Sequence, residues 1–210
     1  GARVLKFGAE SGSDRILKFI NKGITVEQTR KANLKAKKHG IIPVFALMIG
    51  FPGETFEEIN KTIDLSFQLR EDNPDALFEA MATYTALPGT PMYDLALKNG
   101  LKPPETLEGW IDWNFDEYDF SGQKIPWYSY KDRIKIGNIS YMSILANAIP
   151  NVIDSLHNRF IRWLLKILYV PIGFYYRFRL KHKLYTFSWD LMFIRYLRKK
   201  IFYQGHAILK

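Results

Sequence analysis

Cysteine is absent from the 210 residues. These residues can therefore form no disulfide and hold no metal through a thiolate. Histidine is scarce, and His39, His157, His182 and His206 show no metal-ligand spacing, so they read as surface or packing residues. No Ser/His/Asp set, no Walker loop and no dinucleotide-binding glycine fingerprint occurs. A starting Met and a secretory signal are both missing from the first residues, and Gly1-Ala-Arg-Val-Leu5 reads as a strand entered in mid-fold. The sequence is therefore expected to be a C-terminal piece of a longer polypeptide.

Acid is rare in one part only. Residues 1–130 hold 15 Lys or Arg against 18 Asp or Glu, a net −3, whereas residues 131–210 hold 15 against 3, a net +12. The asymmetry says more than the overall +9. At 47% hydrophobic the chain can bury a substantial core.

The stretch Phe45-Ala-Leu-Met-Ile-Gly-Phe-Pro-Gly-Glu-Thr55 organises the rest. An apolar run, Ile42–Ile49, ends in Gly50-Phe-Pro-Gly53. A capping box, Thr55-Phe-Glu-Glu58, then starts a helix with Phe56, Ile59, Ile63 and Phe67 at helical spacing. The near-continuous apolar run predicts a parallel strand buried on both faces. Upstream, Val4–Phe7 reads as a strand, and Ser11 or Ser13 caps a helix carrying Ile16, Leu17 and Ile20. Gly23 is placed to end that helix in a left-handed turn. A second capping box, Thr25-Val-Glu-Gln28, opens a helix to about His39. Downstream, Ala76–Tyr84 reads as a third strand and Pro91 as the first residue of a short helix that Asn99-Gly100 closes. Strands beginning near residues 4, 42 and 76 are a right-handed βαβ series.

After Lys102 the pattern changes. Trp110–Phe120 is aromatic and acidic, expected to be irregular and to cover the mouth or edge of the sheet. Helices are expected over Ile134–Ile149, over Val152–Val170 as far as Pro171, and over Trp189–Phe202. The chain thus divides into residues 1–128, α/β, and 129–210, a basic, aromatic-rich helical extension.

Strand C-termini are where such folds place ligands. Glu10 lies at one of them and can accept from a ligand ammonium or ribose hydroxyl, or simply serve a helix cap with Ser13. Lys22 can return to the same mouth as a carboxylate partner, or stay solvated at its helix end. Gly50–Gly53 can admit a ligand close to the backbone, or only make a turn. The extension holds 15 of the 32 aromatic residues. Its run Phe160–Phe178 falls short of the clean span of about 20 residues that a transmembrane helix needs. It is open to packing on the sheet domain, to an anionic membrane surface, and less favourably to nucleic acid.

Four words in register carry a family resemblance: Phe7-Gly-Ala-Glu-Ser-Gly-Ser-Asp-Arg-Ile-Leu17, Ile20-Asn-Lys-Gly-Ile-Thr25, Met48-Ile-Gly-Phe-Pro-Gly-Glu-Thr55 and Leu87-Pro-Gly-Thr-Pro-Met-Tyr93. Over about residues 1–120 the chain resembles the second half of a radical S-adenosylmethionine (SAM) domain, in the subgroup with an N-terminal cobalamin-binding domain. The resemblance implies the last three βα units of a partial (β/α)6 TIM-like barrel. It implies a [4Fe–4S] cluster and either reductive cleavage of SAM to a 5′-deoxyadenosyl radical or cobalamin-dependent methyl transfer or cyclisation. By motif position Glu10 and Ser11 would contact the methionyl or ribose part and Lys22 its carboxylate. Met48 would pack on adenine, with Thr85 near the same ring. The cluster's three-cysteine loop is missing, and Ala46 and Leu47 stand where some relatives carry an acid. The piece alone is expected to be inactive, its cluster ligands and any cobalamin domain lying in the missing N-terminal part. The basic, aromatic tail motivates a small, lipid-like or polycyclic substrate and a place in the cytoplasm, peripheral to the inner membrane face. Two rivals are a non-catalytic membrane-surface binding or scaffold protein with a vestigial α/β domain, and an unrelated barrel enzyme holding a phosphate near Gly50 or Gly89.

Overall fold

The computed structural model describes residues 1–113, 124–149, 153, 156–194 and 196. β1 (Val4–Glu10), α1 (Asp14–Phe19), α2 (Val26–Lys38), β2 (Ile42–Ile49) and α3 (Phe56–Asp72) are followed by β3 (Leu77–Phe78), β4 (Ala82–Thr83) and α4 (Pro91–Lys98). A 3-10 turn at Glu108–Trp113, α5 (Tyr130–Ser143), a π turn at Ile144–Ala148 and α6 (Arg159–Lys181) complete the described elements. The sheet is parallel throughout, with β2 between β1 on one side and β3 and β4 on the other. This is an α/β fold with a helical extension.

The helix starts follow the sequence. Ser13, Thr25, Thr55 and Thr90 accept from the third amide of their helices, and Thr25/Gln28 and Thr55/Glu58 form full capping boxes. One helix end differs. α1 stops earlier than Gly23 would stop it, and Asn21, at φ 53°, is the left-handed residue. Lys22 N–H then donates to Leu17 O at 2.9 Å and Asn21 N–H to Lys18 O at 3.0 Å, the paired bonds of a Schellman motif. Asn is the side chain that tolerates this conformation best after glycine.

β2 is buried on one face only. Pro43, Phe45, Leu47 and Ile49 are buried, whereas Val44, Ala46 and Met48 are half-buried. On the buried face Phe7, Phe45 and Phe78 lie in register across three strands, with ring centroids 5.5 and 5.8 Å apart. Ile59, Ile63 and Leu69 of α3 share their core. The other face carries Lys6, Val44 and Leu77, also in register, and Lys6 reaches Glu79 at 2.7 Å.

The third strand is split where one strand was expected. Met81 N–H donates to Ser143 Oγ at 2.7 Å, and Ser140 Oγ donates to Met81 O at 2.7 Å. Two serines of α5 thus take the backbone groups that a continuous ladder would have used, and β3 and β4 are left as separate pieces. α5 begins at Tyr130, earlier than the sequence suggests. α6 runs through Pro171, which was expected to stop a helix. Pro171 is exposed, on the side of α6 away from the body, and the helix gives up one internal hydrogen bond there. Of the expected helix at 189–202, residues 189–194 and 196 are helical and the remainder lies outside the described residues, as do residues 114–120 of the aromatic segment.

The extension packs on the α/β part. Tyr176, Leu180, Tyr185 and Leu191 join the core that holds Phe45 and Ile63. Tyr185 donates to Asn60 on α3 at 2.9 Å, and Lys183 pairs with Asp64. Among the described residues no helix is long and apolar enough to cross a membrane.

Candidate functional site

The C-terminal ends of the strands meet at one edge of the sheet. Glu10 is in register with Leu47, and Met48 with Ala82. The ladder slips between Gly8 and Glu10, and this bulge sets Glu10 in the left-handed region at φ 59°. A non-glycine residue held there costs on the order of 1 kcal/mol or more, a strain that tends to persist at functional sites. The bulge turns the Glu10 carboxylate toward Lys22, whose Nζ donates to Oε1 at 2.8 Å. The Lys22 and Glu10 side chains retain 34% and 20% of their exposure, so the pair is open to a ligand. Gly8 makes room for it: a Cβ there would lie 2.5 Å from Glu10 Oε1 and 2.9 Å from Lys22 Nζ.

Met48 is half-buried beside a second, smaller core of Ile16, Phe51, Tyr84, Ala86, Ala96 and Leu101, at the same end of the sheet. Tyr84 N–H continues the β2 ladder onto Ile49 O at 2.8 Å. Thr85 follows, buried, its hydroxyl 3.4 Å from Thr83 O. Ser11 faces elsewhere. It is fully buried and its hydroxyl meets the Thr62 hydroxyl of α3 at 3.2 Å. Gly12 N–H donates to the same Thr62 oxygen at 2.9 Å. Glu10, Lys22 and Met48 are thus brought to one mouth, while Ser11 anchors the loop to α3.

Two further carboxylates organise the mouth: Glu58, legible in the sequence only as part of a capping box, and Glu54, just before that box. Glu58 accepts from Arg15 through both oxygens (2.6 and 2.5 Å), from Ser13 Oγ (2.9 Å) and from Thr55 N–H (3.0 Å). The Arg15 guanidinium, with these donors, holds the Glu58 carboxyl down at about 2. Arg15 also donates to Gly53 O at 2.8 Å, so the β1–α1 and β2–α3 loops are clasped together.

Glu54 folds back beneath the second loop. Its Oε2 accepts from Gly50 N–H at 2.6 Å and Phe51 N–H at 3.1 Å, while its Oε1 is buried without a partner. Burial pushes this carboxyl up to about 7, against the pull of the two amides. The loop's amides are therefore taken by its own side chain, which removes the expectation that a phosphate is held near Gly50. Trp127 Nε1 donates to Gly50 O at 3.1 Å and Tyr128 hydroxyl to Glu54 O at 2.7 Å, pinning the loop from outside. The signal for Glu54 was present in the sequence only as an acid between Gly53 and Thr55, where a first-turn helix residue reads the same way.

The arrangement fits a ligand with both an ammonium and a carboxylate, since Glu10 and Lys22 offer one partner for each. It does not fit a cluster held by this chain: no cysteine exists, and among the described residues no group of three His, Asp or Glu is placed to hold a metal. A surface cleft of about 480 Å³ between α1 and α2, lined by Asp14, Lys18, Asn21 and Gln28, stands apart from these strand ends.

Comparison with known proteins gives the same direction. Residues 1–66 match the Radical SAM superfamily. The chain is 40% identical over 101 residues to an uncharacterized methyltransferase of Pyrococcus horikoshii, covering 48% of this chain and 21% of that protein. It is 44% identical over 66 residues to a tRNA-2-methylthio-N(6)-dimethylallyladenosine synthase of Myxococcus xanthus, covering 30% of this chain and 14% of the relative. The enzyme of that name from Aromatoleum aromaticum is 35% identical over 109 residues, covering 51% of this chain and 23% of the relative. The chain thus spans between a seventh and a quarter of the length of these relatives.

Proposed function

Because this chain carries part of a radical SAM domain in its first 66 residues, we propose that it forms one wall of the SAM site of an iron–sulfur enzyme. The observation that carries the reading is the Glu10–Lys22 pair, held at a strand end by a strained bulge and open to solvent. In the full polypeptide the sheet is the last part of a six-unit partial barrel, and the cluster's ligands come from outside this chain. SAM bound beside a [4Fe–4S] cluster supplies the radical chemistry.

The chain's own residues bind and orient. Opening the ion pair frees Lys22 for the carboxylate of the ligand and Glu10 for its ammonium or ribose hydroxyls. Met48 packs on the adenine from β2, with Thr85 beside it on the next strand. Ser11 supports this wall through Thr62 and reaches the ligand through its backbone alone. The Arg15–Glu58 clasp fixes the two loops so that the donors do not wander, a preorganisation worth more than the bond count suggests.

Methyl transfer or cyclisation on a small, lipid-like molecule, with cobalamin bound by another part of the polypeptide, is the finer form of this reading. The methyltransferase relative supports methyl transfer. The basic extension favours work in the cytoplasm at the inner face of a membrane.

The test uses the full polypeptide, reconstituted without oxygen. SAM affinity is measured by titration calorimetry for the parent, Glu10→Gln and Lys22→Met. Each substitution removes one charged hydrogen bond and is expected to weaken binding by about tenfold or more. Parent-like affinity in both variants sinks the site assignment. Corrinoid absorption in protein produced with cobalamin checks the finer reading, and protein free of corrinoid removes it.

A further inference from the structure

α6 offers an apolar surface much wider than its packing on the body requires. Tyr169, Gly173, Tyr176 and Leu180 form the single buried stripe, at spacings of four, three and four. Tyr169 lies flat across Gly173 and donates to Leu145 O, which fixes that stripe on the π turn. On the opposite side Phe160, Trp163, Ile167, Val170, Phe174 and Phe178 make a second stripe. They are 68%, 58%, 50%, 60%, 67% and 47% exposed. At about 1.5 Å per residue this stripe is roughly 27 Å long. Ile161, Leu164, Leu168 and Ile172 widen it along one flank and are also exposed. Beyond the helix Phe187 is also exposed, and Arg179 lies over both its ring and that of Tyr175, at 5.7 and 5.6 Å.

Charge says what covers this face. From Ser155 to Trp189 the sequence has seven Lys or Arg and no Asp or Glu. On a helix of about 3.6 residues per turn, Arg159, Lys166 and Arg177 fall along one edge of the apolar face, between it and the buried stripe, whereas Arg162 falls in line with that stripe. An apolar arc with a charged edge of cations and no acid, and with Phe and Trp on the arc, is the pattern of a helix lying in the headgroup boundary of an anionic bilayer. A span is excluded by the absence of a helix long and apolar enough among the described residues. We infer that α6 lies in the plane of an anionic membrane surface, its Phe160–Phe178 stripe in lipid and its cations on headgroup phosphates, with the sheet domain held against that surface.

The inference goes beyond the cofactor reading and does not depend on it. The experiment is flotation of the full polypeptide with phosphatidylcholine vesicles, with and without phosphatidylglycerol, at low and high salt. Flotation is expected with the anionic vesicles only and is expected to weaken as salt rises. The double variant Trp163→Ser, Phe174→Ser changes two exposed side chains. It is expected to keep the parent's circular dichroism and melting temperature while vesicle binding falls by about tenfold or more. Arg159→Gln with Lys181→Gln is expected to lower binding roughly fivefold or more and to erase the preference for phosphatidylglycerol.

Absence of flotation at low salt overturns the inference. So does parent-like flotation of the Trp163/Phe174 variant. A dimer seen by light scattering that the same variant dissociates, without vesicle binding, overturns it in favour of a second copy of the chain. Because the assay contains no SAM, its failure leaves the cofactor site standing, and failure of the SAM titration leaves the membrane face standing.

Discussion

Arg15 meets Glu58 through two parallel hydrogen bonds, Nε to Oε1 at 2.6 Å and Nη2 to Oε2 at 2.5 Å. The two residues are 43 positions apart and belong to the first turns of different helices, α1 and α3. Their fork-to-fork geometry fixes direction as well as distance. Glu58 also closes the capping box of α3 and receives the Ser13 hydroxyl, so one carboxylate serves a helix start, a loop and an ion pair together.

Glu58→Ala is therefore expected to cost about 2–4 kcal/mol, a cap and a half-buried pair being lost at once. Arg15→Lys keeps the charge and loses the fork, and should cost less. Glu58 is held well below its unfolded value, so its contribution is complete above about 4.5 and is lost as pH falls toward about 2. Urea unfolding from neutral pH down to pH about 3 should show parent and Glu58→Ala converging as the carboxyl protonates. A constant gap between them across that range would show that the ion pair contributes nothing.

Glu54 titrates in the other direction. Its folded value of about 7 lies above the unfolded 4.5, so the native state binds the extra proton between these values. Its contribution is then complete below about 4.5 and is lost as pH rises through about 7, a difference on the order of 3 kcal/mol. Glu54→Gln keeps an oxygen for the Gly50 and Phe51 amides without the charge. The variant should match the parent near pH 5 and melt higher than the parent near pH 8. Equal melting at both values would mean that water already reaches the Oε1 side and that the carboxyl is not held protonated.

These two carboxylates also mark how far the sequence could be read. Thr55 and Glu58 were legible as a capping box because that motif is local, four residues with their own partners. The boundaries of β2 were legible because an apolar run stops at glycine. The contact of Arg15 with Glu58 was not, since nothing in either helix start encodes the other's position. The break between β3 and β4 was hidden for the same reason: its cause is Ser140 and Ser143, about 60 residues away. At the mouth, Glu10 and Lys22 were legible as separate candidates for a ligand but not as a pair, and the direction of Ser11 depended on Thr62, which on α3 reads only as one more helix residue. Asn21 is less conspicuous in the sequence than Gly23 because glycine is the commoner left-handed residue, yet both have positive φ.

Two glycines in the first loop should separate folding from binding. At Gly12 a Cβ would lie 2.2 Å from Lys61 O and 2.4 Å from Lys61 C, in the backbone of α3, which cannot yield. Gly12→Ala is expected to destabilise by about 3 kcal/mol or to prevent folding. At Gly8 the atoms in the way are the ends of two flexible side chains, Glu10 and Lys22. Gly8→Ala should leave the melting temperature within a few degrees of the parent, a change of about 1 kcal/mol or less. It should displace the ion pair and weaken SAM binding. If Gly8→Ala binds SAM as the parent does, the position of the pair over β1 is not what the ligand requires.

Glu10→Gly carries the same separation to the strained residue itself. Glu10 sits at φ 59°, where glycine has no steric cost. The substitution relieves strain of about 1 kcal/mol, and the more flexible unfolded chain takes back part of it. Lys22 also loses a partner that is partly exposed, and such pairs contribute about 0–1 kcal/mol. The net change in stability is therefore expected to be small, within about 1 kcal/mol in either direction. Binding should respond very differently, because the carboxylate that accepts from Lys22 among the described residues has gone. SAM affinity is expected to fall by about tenfold or more while thermal unfolding stays near that of the parent. A residue kept in an unfavourable conformation for packing alone would give the opposite pattern, a clear loss of stability with little change in affinity. Measuring both on one variant therefore decides whether the bulge after Gly8 exists for the fold or for the ligand.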